Sequence, residues 1–117
     1  MAVTEERIRK ATGNDLDELV ALAQGWEKIQ NNVFVDKNKF GICVEDYRPS
    51  TNGSQCIEIM QREKISVTFE FDGCWSADNY NVEDSTRESV AIGETAMIAA
   101  CRCFCLDKLE VLNEKII

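Results

Sequence analysis

Three cysteines at alternate positions, Cys101, Cys103 and Cys105, are the residues whose type and spacing first suggest chemistry. Thiolates hold a metal when about four ligands, usually two spaced pairs, converge on one centre. On a helix this run cannot converge, because at about 100° per residue Cys101 and Cys105 share one face and Cys103 points roughly 200° away. Cys43, Cys56 and Cys74 form no spaced pairs either. All six read as small buried hydrophobes in a chain kept reduced. Histidine is absent from the 117 residues, which excludes a Ser–His–Asp triad, a histidine-held metal and a histidine proton shuttle. Carboxylates are plentiful, yet Glu70 and Asp72 sit on the wet side of a strand pattern and Glu83 and Asp84 in a polar run. Neither pair has the walled cleft that carboxylate catalysis requires. The expectation is a protein that binds rather than catalyses, and that uses no cofactor and no metal. A hydrolase with a carboxylate-held metal or a tuned cysteine is the minor alternative.

The residues best suited to binding lie in a loop, 47–52. Tyr47, Arg48, Ser50, Thr51 and Asn52 bring a phenol, a guanidinium and three small polar side chains together, and Pro49 fixes one backbone angle. Such a loop could hold an anion or a sugar, with Arg48 offering a planar fork to phosphate. The competing reading is a turn held by Ser, Thr and Asn side chains bonded to backbone. Trp75 is either a lid on the core or a stacking surface. Arg87 and Arg102 are the remaining cations near the last helix, each with a structural salt bridge as its competing role.

Net charge is −8, from 21 carboxylates against 13 bases. A field of that sign repels nucleic acid and suits a basic protein surface. Acidic clusters stand at Glu5 and Glu6, at Asp15, Asp17 and Glu18, and at Glu83 and Asp84. No apolar run approaches the roughly 20 residues that span a bilayer. Residues 1–6 (MAVTEE) do not read as a signal peptide, so the expected location is the cytoplasm.

These side chains need a frame, and the chain length fits one domain, residues 1–117. Residues 1–12 read as a short helix or an arm, with Thr4 as a cap. Residues 15–24 read as an amphipathic helix: Leu16, Leu19, Val20 and Ala23 recur at helical spacing, between Asn14 as N-cap and Gly25 as the closing glycine. Val33 to Val35 and the segment 40–44 are candidate short strands, and 54–62 one or two helical turns. Ile65, Val67, Phe69 and Phe71 alternate with polar residues, and Asp72-Gly73 marks a two-residue hairpin turn. Residues 78–91 read as a mobile loop and 111–117 as a tail prone to fray. Residues 94–109 form a long helix with almost no polar face, which must be covered by the sheet or by a second subunit. The class is α+β: a small antiparallel sheet with a central hairpin at about 64–77, packed against the N-terminal helix at 15–24 and the C-terminal helix at 94–109. A homo-oligomer through the C-terminal helix is the assembly that this pattern suggests.

Four blocks taken together resemble the NinX-like family of small phage accessory proteins. They are residues 13–25 (GNDLDELVALAQG), the YRPST segment at 47–51, REKISV at 62–67 with Trp75-Ser76-Ala77, and GETAMIAACR at 93–102. After Asn52 the family often carries a tryptophan and Gly-Pro, where this chain has GSQCI. The resemblance implies a setting, the infected host cytoplasm, and a non-catalytic accessory role of the counter-defence kind. Two partners are compatible with that setting. One is a small anionic, nucleotide-type immune signal; the other is a basic host protein, such as a nucleic-acid-binding effector, blocked by an acidic surface.

Overall fold

In the computed structural model, residues 3–29, 33–36, 40–70, 72–81 and 86–116 are described, the side chains of 80, 81, 86–88, 115 and 116 excepted. Among the described residues, five α-helices and six strands follow in the order α1 (Glu5–Lys10), α2 (Gly13–Ala23), β1 (Glu27–Ile29), β2 (Val33–Val35), β3 (Gly41–Cys43), α3 (Gly53–Glu63), β4 (Ile65–Phe69), β5 (Trp75–Asn81), β6 (Thr86–Gly93), α4 (Ala96–Asp107) and α5 (Leu109–Ile116), with a short 3-10 turn at Val44–Asp46. The strands make two antiparallel three-stranded sheets, β1-β2-β3 and β4-β5-β6. The fold is α+β.

Local chemistry sets most helix ends. Thr4, Asn52 and Thr95 each accept a backbone N–H bond at 3.1 Å, from Arg7, Gln55 and Ile98, and so cap α1, α3 and α4. Beyond α2, Gly25 takes φ +85° and donates its N–H to Leu22 O at 2.9 Å. Lys64 closes α3 in the left-handed region, at φ 57°.

Helix α4 is the centre of the molecule. It packs across all three strands of the β4-β5-β6 sheet on one side and meets α1, α2, α3 and α5 elsewhere. Residues 99–105 are all buried, including Arg102. The sheet surface beneath it includes small residues: Ala77 faces Ala91 across the β5–β6 ladder, and Gly93 stands opposite Trp75. A methyl group on Gly93 would lie 2.6 Å from Ala99 N, so only glycine allows the helix this close. The helix that lacks a polar face is thus covered within the chain. Phe34 of β2 is fully buried, and β1 packs on α2, which joins the first sheet to the same core.

Several expectations require correction. Residues 78–91, read as a loop, carry the second half of β5 and most of β6, joined through a bulge at Asn79/Tyr80. The inward residues Ala77, Asn79 and Ala91 are small or polar, while the larger Val90 and Ile92 point outward and are 40% and 57% exposed. The usual hydrophobic alternation is therefore inverted. Most of the segment read as a tail is helical: α5 buries Leu112, and Asn113 Oδ1 accepts the Val3 N–H at 2.7 Å. Residues 54–62 extend to three turns as α3, with Cys56 and Ile59 on its buried stripe. The hairpin turn is longer than two residues, since Glu70 N donates to Cys74 O at 2.8 Å around residues 71–73. Phe71 lies outside the described residues.

Candidate ligand-binding site

The 47–52 loop is held from both sides. Gln55 Oε1 accepts the Arg48 N–H at 2.6 Å while its Nε2 donates to Asp46 O at 2.9 Å. Arg48 O accepts from Thr51 N at 3.0 Å and from Asn52 N at 2.7 Å. Ser50 N donates to Asp17 Oδ1 at 2.9 Å. Pro49 and Ser50 are buried, and Ser50 Oγ has no hydrogen-bond partner among the described residues. Tyr47 is buried against Trp26, ring centroids 4.7 Å apart, and its hydroxyl accepts from Gln24 Nε2 at 2.6 Å. Burial pushes the Tyr47 phenol well above its ordinary range, so it stays protonated. Thr51 and Asn52 are exposed, with Asn52 used as the α3 cap.

One cleft opens at this loop, and a second lies beyond Gln24 and Trp26, the two residues that touch Tyr47. The first, about 410 Å³, is lined by Asn14, Cys43, Val44, Glu45 and Arg48. Arg48 donates its Nε to Glu45 O at 2.7 Å, which fixes the guanidinium over that cleft. Glu45 also lines this opening, so its walls carry one charge of each sign. The second cleft, about 530 Å³, runs between the end of α2, the end of α3 and the α4–α5 junction. Its walls carry Trp26, Phe104, Arg62, Lys108 and Glu63. Arg62 stacks over the Phe104 ring at 5.8 Å and donates to Gln24 Oε1 at 3.1 Å and to Glu63 Oε2 at 2.9 Å. Lys108 Nζ lies 3.4 Å from Glu63 and 3.6 Å from Asp107. Gln24 thus bonds both Tyr47 and Arg62, which ties the predicted loop to this cleft.

Sequence reasoning missed Trp26, Arg62 and Lys108. An indole just past the α2 glycine was a visible signal, but the two cations are 46 positions apart in the sequence and meet only because α3 and the α4–α5 junction both pack there.

The other predicted positions lie apart from the loop. Trp75 opens β5 and packs edge-on to Phe69, centroids 5.2 Å apart, with Phe69 57% exposed. Arg87 belongs to β6, and its side chain lies outside the described residues. Arg102 is 5% exposed, donating Nε to Ala11 O at 3.0 Å and Nη1 to Ile92 O at 2.8 Å, with Glu94 at 3.9 Å. Its guanidinium joins α1's end to the last strand and has no open face toward the loop.

The cysteines divide as helical geometry requires. Cys103 faces the sheet, its Sγ 3.6 Å from Ser89 O, while Cys101 is a buried free thiol that neighbours the free thiol of Cys56 on α3. Burial pushes the Cys103 thiol up to about 12, and pushes Cys105 further. The neighbouring Cys56 thiol and burial raise Cys101. Thiols held this firmly protonated are poor nucleophiles at neutral pH. Among the described residues no three Cys, Asp or Glu side chains gather as a metal site, and no helix is long and apolar enough to cross a membrane. Of the acidic clusters, Asp17 is buried and Glu83-Asp84 lies outside the described residues.

A model of the family of bacteriophage P22 NinX matches residues 9–108, and the chain belongs to that family. A search of curated proteins found no match.

Proposed function

Taking membership of the phage NinX family as the premise, we propose that this accessory protein works by binding a small anionic, nucleotide-type ligand, a host immune signal that it withholds from its receptor. The observation that carries the reading is the Trp26–Arg62–Lys108 cleft. In a chain of net charge −8, two cations and an indole line one opening of about 530 Å³, within the roughly 300–1,000 Å³ range of small-molecule sites. A base stacked on Trp26 would contribute about 1–3 kcal/mol. A phosphate would take over the Arg62 and Lys108 donors from Glu63, because part-exposed ion pairs of this kind are worth only about 0–1 kcal/mol. Arg62 can present two parallel N–H groups to phosphate oxygens. The Arg48 cleft suits an anion less well, since Arg48 is the one cation among the described residues that line it, against Arg62 and Lys108 here.

A panel of cyclic and ADP-ribose-type nucleotides tests this by thermal shift. At least one should raise the melting temperature, and Arg62→Gln with Lys108→Ala should abolish the shift while leaving the ligand-free melt near wild type. No shift with any nucleotide at large excess would sink the proposal. The second reading, an acidic inhibitor of a basic host protein, draws on the net charge. Its surface is partly neutralised within the chain, with Arg7 on Asp15 at 3.1 Å and Lys10 on Glu6 at 2.9 Å. A partner captured from host lysate at low salt and lost at high salt, in wild type and Arg62→Gln alike, would favour it.

A further inference from the structure

The β4-β5-β6 sheet treats its two edges differently. Because Glu70 and Cys74 face each other through a hydrogen bond, the antiparallel alternation makes Thr68/Ser76 and Ser66/Asp78 the bonded pairs of β4 and β5. The same alternation continued across β5 leaves the backbone groups of Val90 and Ile92 on the outer edge of β6. There the two carbonyls are bonded by arginines: Val90 O accepts from Arg9 Nη1 at 3.0 Å and Ile92 O from Arg102 Nη1 at 2.8 Å. On β4 the outward groups belong to Ile65, Val67 and Phe69, and no hydrogen bond to them is made by any described residue outside the strand. The β4 edge has no proline and no bulge, and it carries the 57% exposed Phe69. Open edges of this kind are templates for another strand.

We propose that the occupant of this edge is β4 of a second copy of the chain, paired antiparallel about a two-fold axis through Val67. The segment from Lys64 to Glu70 (KISVTFE) is complementary to itself in that register. Val67 meets its own copy, Ile65 meets Phe69, Ser66 meets Thr68, and Lys64 meets Glu70. The parity also agrees, because the residues that would form the bonded pairs, 65, 67 and 69, are those whose backbone groups already point outward. Two three-stranded sheets become one six-stranded sheet. The Phe69–Trp75 pair is covered beside the partner's Ile65, and hydroxyls face hydroxyls on the other side. Glu70 is already positioned, since its Oε1 accepts from Ser76 Oγ at 2.8 Å. An isologous contact of this type closes on itself and stops at a dimer. The nucleotide-type cleft lies on other elements, so this assembly does not depend on it.

Sedimentation equilibrium or light scattering on the full chain tests the proposal. Wild type should show twice the 13.2 kDa chain mass. Ser66→Lys with Thr68→Lys changes only exposed positions and sets like charges opposite each other across the axis, which should weaken the dimer at least about tenfold, a free-energy change of about 1.4 kcal/mol or more. Lys64→Glu and Glu70→Lys should each weaken it, and the two together should restore it, all three with a wild-type circular dichroism spectrum. A wild-type monomer at the highest soluble concentration overturns the inference. So does a dimer that ignores the paired lysines, or a charge swap that fails to rescue.

Discussion

Asp17 shows how one residue in a helical stripe can carry a cost that its neighbours do not. It is 5% exposed and accepts the Ser50 N–H at 2.9 Å. Burial raises its carboxyl above the ordinary range, against the opposing pull of the Ser50 N–H and the Arg48 guanidinium. A raised folded-state value means that the folded protein holds the proton more tightly than the unfolded chain. The carboxyl is therefore no burden below its unfolded value of about 3.9, and folding loses stability as pH rises from there through the raised value. Asp17→Asn keeps an oxygen to accept the Ser50 bond and removes the charge. Its melting temperature should exceed wild type at pH 7, and the gap should close near pH 3; a gap that is unchanged at low pH would show that charge burial is not the cause. Sequence reading placed Asp17 among the exposed acids of the first turn, because nothing local reveals that Ser50, 33 positions away, lies over it. Arg102 was hidden in the same way. Its partners Ala11 and Ile92 are fixed only when α1's end and β6 come together.

At the scale of elements, the contact between β6 and α4 depends on what is missing from Gly93. An added Cβ would meet Ala99 N at 2.6 Å and Ile98 Cγ2 at 2.9 Å, the first of them backbone that cannot rotate aside. Gly93→Ala should therefore destabilise the protein by about 2–3 kcal/mol, in the range of overpacked cores, with a denaturant midpoint lowered and the slope unchanged. A midpoint equal to wild type would mean that α4 slides freely on the sheet. The same closeness explains which elements the sequence disclosed. Helix α2 was legible at 15–24 against an observed Gly13–Ala23, since its stripe of Leu16, Leu19 and Val20 packs in the ordinary way. Strand β4 was legible for the same reason. Strand β6 was not: a surface that must admit a helix so near its backbone uses Ala91 and Gly93 inside and sends Val90 and Ile92 outward. The loop at 47–52 was legible as a loop, but its partner cleft was not, because Trp26, Arg62 and Lys108 are brought together only by helix packing.

For the whole molecule, the decisive arrangement is a helix covered by a sheet on one side and by other helices around the rest. The apolar surface of α4, for which the sequence favoured a place in the core over a subunit contact, is buried within the chain over residues 99–105. Cooperativity follows from that position. Exposing an amide of α4 requires the sheet and the flanking helices to separate, which is global unfolding rather than a local opening. Strand β1, by contrast, is three residues long and exposed throughout, and α1 is a six-residue helix that buries only Ile8. Native-state hydrogen exchange should rank the amides accordingly. Those of residues 99–105 should exchange with the free energy of unfolding measured by denaturant, and those of α1 and β1 should exchange faster, with little denaturant dependence. Protection in α4 no greater than in α1 would contradict its central role. It would also undercut the account of Gly93, because both rest on the sheet and the helix opening as one unit.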